Sequence, residues 1–190
     1  GGHCGECVQC RQGRFQLCQN QPVLGATCDG GYAEMMLARA TGLVSIPDEL
    51  DADEAAPILC AGIATFNALK KCGAEAGDTV AILGIGGLGH MAGQNARRMG
   101  VRGGALGRGR DIARHPLAQD ALTLGAHLYI DTREEDAAAR LKSMGGARAI
   151  VTMIDHAETV SALLAGLAPE GRLVVLNPGK EPLLVPAGLL

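Results

Sequence analysis

Residues 78–100 read DTVAILGIGGLGHMAGQNARRMG, and three patterns follow one another there without a gap. Residues 79–83, TVAIL, form a short, apolar, β-rich run, as expected for a parallel strand buried on both faces. Gly84-Ile85-Gly86-Gly87-Leu88-Gly89 then fits G-x-G-x-x-G. Beyond it Leu88, Met91, Ala92, Ala96 and Met99 recur at i, i+3, i+4, i+8 and i+11, an amphipathic helix stopped at Gly100. In such a turn the first glycine (Gly84) permits the tight bend, the second (Gly86) lets the backbone approach a pyrophosphate, and the third (Gly89) allows helix and strand to pack closely. The phosphates would meet free N–H groups at the positive end of the helix dipole. Glycine makes up 28 of 190 residues, about twice the usual share of roughly 7%, so a bare match could be accidental. The strand before it and the helix after it give the motif its meaning. Dinucleotide binding through Gly84, Gly86, Gly87, Leu88 and Gly89 is expected.

Working downstream, candidate strands at 101–106, 127–130, 149–153 and 172–176 alternate with helical patterns at 115–124, 134–143 and 157–167. That alternation predicts an α/β fold, a doubly wound parallel Rossmann sheet of about five strands. The chain stops soon after the fifth strand, so a sixth is expected to be missing. An acidic residue about twenty positions past the glycine turn would take the ribose hydroxyls of NAD. The end of the second strand instead reaches Gly107 and Arg108, with no carboxylate until Asp111. A small residue followed by arginine suits the 2′-phosphate of NADP, and NAD(P) binding leaning to NADP is the expectation.

Upstream, residues 1–20 show no sustained period and are expected to be loop. Residues 31–37, GYAEMML, have strand length and composition. A helix capped by Asp51 or Asp53 is expected through about Leu59, and another over 61–71, ending before Gly73. The expected organisation is a zinc lobe and domain remnant over 1–45, connecting helices over 46–75, and a truncated dinucleotide-binding domain over 76–190.

Seven cysteines are unevenly spread, four of them as Cys4-x2-Cys7-x2-Cys10-x7-Cys18. An odd total without a secretory leader argues against a disulfide framework. Four thiolates satisfy the tetrahedral preference of Zn²⁺ at roughly 2.3 Å per bond, and a closed sulfur shell is structural, with no position left for a reacting water. Gly2, Gly5 and Gly13 give the loop freedom to wrap an ion. An oxidised pair or an iron–sulfur cluster is the competing reading of this spacing. Cys28, Cys60 and Cys72 stand apart, and a lone cysteine in an apolar stretch ordinarily reads as a small buried hydrophobe.

The remaining composition mainly excludes. Net charge is −3 with both signs interspersed, and Arg108, Arg110 and Arg114 are too few for a nucleic-acid surface. No apolar run approaches the roughly 18–20 residues of a bilayer span, and residues 1–20 lack a signal-peptide pattern. The expectation is a cytoplasmic protein with a small-molecule partner, neither nucleic acid nor membrane. With Gly1 inside a cysteine cluster, the sequence reads as cut from a longer one.

Taken together, HCGECVQCRQGRFQLC, GATCDGGYAEMMLA, APILCAGIATFNALK and GDTVAILGIGGLGHMAGQNARRMG resemble the zinc-dependent alcohol dehydrogenases of the medium-chain dehydrogenase/reductase superfamily, over essentially the whole chain. The resemblance implies Cys4, Cys7, Cys10 and Cys18 as ligands of a structural zinc. It also implies Cys60 as one protein ligand of the catalytic zinc, a role that spacing alone would not suggest. The implied activity is hydride transfer between an alcohol/aldehyde pair and NAD(P), with a homodimeric or homotetrameric parent. The family's other catalytic ligands fall before Gly1, so the chain alone is expected to be inactive. Ala64 stands where the family usually has a threonine, with Thr65 one place on, and Gly103-Gly104 replaces an aliphatic pair and should weaken the second strand. Of the histidines, His3, His115, His127 and His156 suggest surface or helix-end roles, while His90, just after the glycine turn, is one that could lie near the pyrophosphate. The alternative is a non-catalytic zinc-stabilised nucleotide-binding or redox-sensing module. A zinc-free quinone reductase relative would lack the four-cysteine loop.

Overall fold

A computed structural model describes residues 2–107, 117–177 and 179–189. The chain divides into two compact units, residues 1–51 and 52–190. No helix among the described residues is long and apolar enough to cross a membrane.

In the first unit the loop expected over 1–20 carries one helical turn, α1 (Val8–Arg11), and a 3₁₀ turn at Phe15–Leu17. Only Gly2 and Cys10 are buried among residues 2–51. Residues 31–37, expected as a strand, are not one. A strand exists only through its ladder, and no described segment pairs with them. Tyr32, Met35 and Leu37 are left almost fully exposed.

The second unit opens on α2 (Ala52–Pro57) and α3 (Ile63–Lys71). The two separate helices expected here are one continuous run, because Ile58–Gly62 forms a π-turn rather than a break. Pro57, without an N–H, sits just before it, where a wider turn loosens the ordinary ladder. Cys72 ends α3, and Gly73 (φ 80°) turns the chain away.

The alternating part follows as β1 (Thr79–Leu83), α4 (Gly87–Arg98), β2 (Arg102–Gly107), α5 (Leu117–Thr123), β3 (Leu128–Asp131), α6 (Ala137–Ser143), β4 (Ala147–Thr152), α7 (Ala157–Leu163) and β5 (Leu167–Val175). The strands lie in the order β3-β2-β1-β4-β5, every pair parallel. This is the expected Rossmann arrangement, with the order reversing between β1 and β4. The fifth strand begins five residues earlier than expected and shifts register between Ala147 and Ala149, which shortens the preceding helix.

Successive strand residues face opposite sides of the sheet, which sorts the core. Val80, Ile82, Ala105 and Val151 pack under α3 and α4, where Leu69, Ala92 and Ala96 are buried. Ala81, Leu83, Leu106, Ile130 and Ile150 pack under α6 and α7 against Leu141 and Leu163. With so few aromatics, this core is built from aliphatic side chains. Gly103 and Gly104 do not break β2. They pair with Val80 and Ala81 in an unbroken five-residue register, supported on both sides by neighbouring strands.

Candidate functional site

The glycine turn sits at the reversal of strand order. Gly84 takes φ 98°, a left-handed conformation that glycine alone adopts readily, and a Cβ there would also meet Ile154 Cγ2 at 2.8 Å. Its N–H donates to the carbonyl of Leu106 at 3.0 Å, tying the turn to β2. A Cβ on Gly89 would overlap the carbonyl oxygen of Gly84, so that position admits no other residue without movement. By contrast, Gly86 and Gly87 have nothing within 4 Å of a built Cβ. The turn is thus sealed on its sheet side and open on its outer side. Gly86 offers no side-chain cap, leaving the first N–H groups of α4 without one. Polar groups of this kind, at the positive end of a twelve-residue helix, suit a phosphate.

A crevice of about 480 Å³ opens beside the turn, lined among others by Gly84, Ile85, Gly107, Thr132, Asp155 and His156. It runs along the carboxyl ends of β1, β2 and β4, where ligands bind in open sheets of this type. Leu88 and Ile85 keep the turn seated on the apolar face. His90 donates its backbone N–H to Gly86, while its Nε2 is buried without a hydrogen-bond partner among the described residues, beside Ile82, Ile85 and Ala105. His156 caps α7, its Nδ1 accepting from the N–H of Thr159 at 3.3 Å.

At the far end of this crevice β2 stops at Gly107, whose carbonyl accepts from both the N–H (3.0 Å) and the hydroxyl (3.1 Å) of Thr132. A Cβ on Gly107 would lie 2.5 Å from the hydroxyl oxygen of Tyr129. Sequence reasoning missed Tyr129, because nothing in the spacing says which side chain of the third strand leans over the end of the second. Arg108, Arg110, Asp111, Arg114 and His115 lie outside the described residues.

In the first unit the sulfurs of Cys4, Cys7, Cys10 and Cys18 all lie within 4.8 Å of one another. Four ligands about 2.3 Å from one centre stand about 3.8 Å apart at tetrahedral angles. The Cys4–Cys10 sulfur separation is 3.9 Å, so the donor set fits a single ion. Backbone geometry prepares the sulfurs for it. N–H groups of Cys7 and Glu6 point at Cys4 Sγ, each at 3.4 Å, and hold that thiol down to about 6. Backbone N–H groups of Gln19 and Cys10 likewise lower Cys7. Burial pushes Cys10 up to about 12, so this sulfur ionises readily only against a cation. His3 stacks on Phe15 with ring centres 3.9 Å apart and takes no part in the cluster.

Cys60 lies exposed within the π-turn. No group of three or more candidate ligands occurs within residues 52–190 among the described residues. Thr65 is fully buried, with its hydroxyl donating to the carbonyls of Ala61 (2.7 Å) and Gly62 (3.1 Å). Asn95 on α4 donates to Thr65 Oγ1 at 3.1 Å and to the Gly62 carbonyl at 3.3 Å. The carbonyls of Ala61 and Gly62, next to Cys60 at the end of the π-turn, therefore accept hydrogen bonds from two side chains that brace this stretch of backbone. Cys72 is buried and bonds its own helix, and Cys28 is exposed.

A parallel sheet of this order with a glycine turn at its reversal, following a four-cysteine lobe, defines a Rossmann-type chain with a candidate metal lobe. Residues 1–48 match the alcohol dehydrogenase GroES-like domain. The chain is 45% identical, over its whole length and 55% of the relative's, to an alcohol dehydrogenase of Aspergillus sp. (strain MF297-2). It is 43% identical to an alcohol dehydrogenase of Geobacillus stearothermophilus, over 88% of this chain and 52% of that protein. An alcohol dehydrogenase structure from Aeropyrum pernix superposes with a TM-score of 0.85 at 29% identity, covering 97% of this chain and 54% of that one. A zinc-binding dehydrogenase from Sinorhizobium meliloti, solved bound to NADP, superposes at 0.84 with 27% identity, covering 98% and 55%. The chain is similar over nearly its whole length to alcohol dehydrogenases of the zinc-containing medium-chain superfamily, and it spans about half the length of the curated relatives it matches.

Proposed function

We propose that the chain supplies the structural-zinc lobe and the nucleotide cradle of an enzyme that moves hydride between an alcohol/aldehyde pair and NAD(P). The observation that carries this reading is the turn at Gly84–Gly89, blocked against the sheet and open toward the crevice. Cys4, Cys7, Cys10 and Cys18 would hold one zinc whose role is to order the lobe. Gly86, Gly87 and Leu88 would offer backbone N–H groups to the pyrophosphate, and the crevice toward Gly107 would take the adenosine half. Bound nicotinamide dinucleotide supplies the hydride-carrying ring, and a catalytic zinc, to which Cys60 would be one ligand, supplies Lewis acidity. The chain's own part is to bind and orient these groups. An arm of glycine rather than carboxylate at residue 107 favours NADP, since no negative charge opposes the 2′-phosphate there. A homodimeric or homotetrameric parent acting on a small alcohol completes the proposal.

A second reading has its own support in Cys60, which joins no group of three or more candidate ligands among the described residues of its unit. On that reading the chain by itself binds nucleotide and zinc without turnover. Calorimetric titration with NADP⁺ and NAD⁺, beside metal analysis and an alcohol-oxidation assay, tests both. One tightly held zinc with saturable nucleotide binding supports the shared part, and turnover then decides between them. No nucleotide binding at millimolar concentration would refute the cradle.

A further inference from the structure

The end of β2 is where a sheet of this kind places the group that senses the 2′ position of the adenosine ribose. Here the strand ends in glycine, and the reason is steric. A Cβ at residue 107 would stand 2.5 Å from the hydroxyl oxygen of Tyr129 and 3.1 Å from its Cζ and Cε2. No carboxylate-bearing side chain can begin there while Tyr129 keeps its place. The hydroxyl therefore stands where the stem of the acidic side chain would be.

The register explains how a third-strand residue reaches that point. Ala105 pairs with Tyr129 and Gly107 with Asp131, so the ring starts two residues before the end of β2. Residues 105, 107, 129 and 131 share one face of the sheet. A phenol can then lean along the strand toward the carboxyl end, over two positions whose small residues leave room. The ring is half-buried, packed against the core under α4 and α5, and Gly107 itself lines the crevice. Asp131, the nearby carboxylate, is 3% exposed and accepts from the N–H of Arg133 at 3.0 Å within its own bend. Burial, and then the charge of Asp131, raise the phenol's pKa, so it remains a proton donor at neutral pH.

We infer that Tyr129 is a specificity-determining residue of the nucleotide site: its hydroxyl takes the place of the β2-terminal carboxylate and is a group this chain offers to the 2′ position of the adenosine ribose. A carboxylate accepts from the ribose hydroxyls and repels a 2′-phosphate. A phenol donates to a phosphate oxygen, and it can also accept from a ribose hydroxyl. It therefore removes the repulsion and adds a charge-assisted bond when the phosphate is present. This rests on the nucleotide-cradle reading above, and the test separates the two.

The probes are adenosine 2′,5′-bisphosphate and 5′-AMP, which differ only in the 2′-phosphate, titrated into the 190-residue chain and its Tyr129→Phe variant. The wild-type chain should prefer the bisphosphate. Tyr129→Phe should cut that preference about tenfold, the scale of one hydrogen bond to a charged group, while 5′-AMP binding changes less than threefold. Gly107→Ser, whose side chain contests the hydroxyl's space, should lower the preference without altering Tyr129. A preference unchanged in Tyr129→Phe, or equal weakening of both ligands, overturns the role of Tyr129 alone. A wild-type chain that binds neither probe nor NADP⁺ overturns the cradle itself.

Discussion

The carbonyl oxygen of Gly84 occupies the space that a Cβ on Gly89 would need, while Gly86 between them faces open solvent. One turn therefore contains two kinds of glycine. Gly89 is required by packing and Gly86 by whatever approaches from outside. Gly89→Ala should destabilise the fold by about 1–3 kcal/mol, the usual range for overpacking, and lower the melting temperature by several degrees. Gly86→Ala, at φ −96° with free space around it, should melt like the wild type and yet lose nucleotide affinity at least about tenfold. Paired melting and titration curves check this, and equal effects of the two substitutions on both readouts would refute it.

The cysteine lobe predicts a metal dependence confined to the first unit. Among residues 2–51 only Gly2 and Cys10 are buried, and α1 is a single turn, far too short to persist alone. An ion held by the four cysteines is expected to supply order there. Metal analysis should find one zinc per chain, sharply reduced in Cys7→Ser and unchanged in Cys28→Ser. Chelation should open residues 2–51 to protease while the sheet of the second unit keeps its circular-dichroism signal. Zinc content indifferent to Cys7 would remove the assignment.

What could be read from the sequence was what repeats locally. The run 79–83, the glycine turn and the helix behind it announce themselves, because strand and helix periods follow each other in adjacent residues. The four cysteines do so through spacing, since a wrapping loop brings close neighbours to one ion. Residues 31–37 misled because β-forming composition says nothing about whether a partner strand is present. The π-turn was hidden because good helix formers continue through it, and one extra residue in a turn leaves no compositional mark. Cys60 could be singled out only through family resemblance. Tyr129, Thr65 and Asn95 depend on contacts between elements, 30 residues apart for the Thr65–Asn95 bond, and only the fold reveals those.

Thr65 and Asn95 carry a prediction of their own. Thr65→Val keeps the shape and removes the hydroxyl, taking one hydrogen bond each from the part-buried carbonyl of Ala61 and the Asn95 amide, which still reaches the Gly62 carbonyl. Losing hydrogen bonds of this kind costs about 0.5–1.5 kcal/mol each. The loosened π-turn should also show itself locally, as faster alkylation of Cys60 by a neutral thiol reagent under native conditions. A stability loss without a change in the Cys60 rate would mean that the pair braces α3 and α4 but does not set the turn.

Glycine in a central strand is expected to weaken it, and β2 has two in succession. Gly103 and Gly104 are both buried and extended, and neither takes a positive φ. A Cβ on Gly104 would have Val80 O as its nearest neighbour at 3.9 Å, and one on Gly103 would have Ala96 Cβ at 3.8 Å, both ordinary contacts. The sheet therefore has room that the sequence leaves unfilled. Alanine at residue 104 narrows the unfolded ensemble and buries a methyl group without strain, so Gly104→Ala should stabilise by roughly 0.5–1 kcal/mol. For a chain of this length that is a rise of about 1–4 °C in melting temperature. Gly107→Ala, three residues further along the same strand, should do the opposite, because its Cβ meets the Tyr129 hydroxyl at 2.5 Å. Opposite signs from the same substitution within one strand can come only from what each Cβ meets, and thermal melts of the two variants side by side measure it. A matching sign would show that backbone propensity, not the neighbouring side chain, governs this strand.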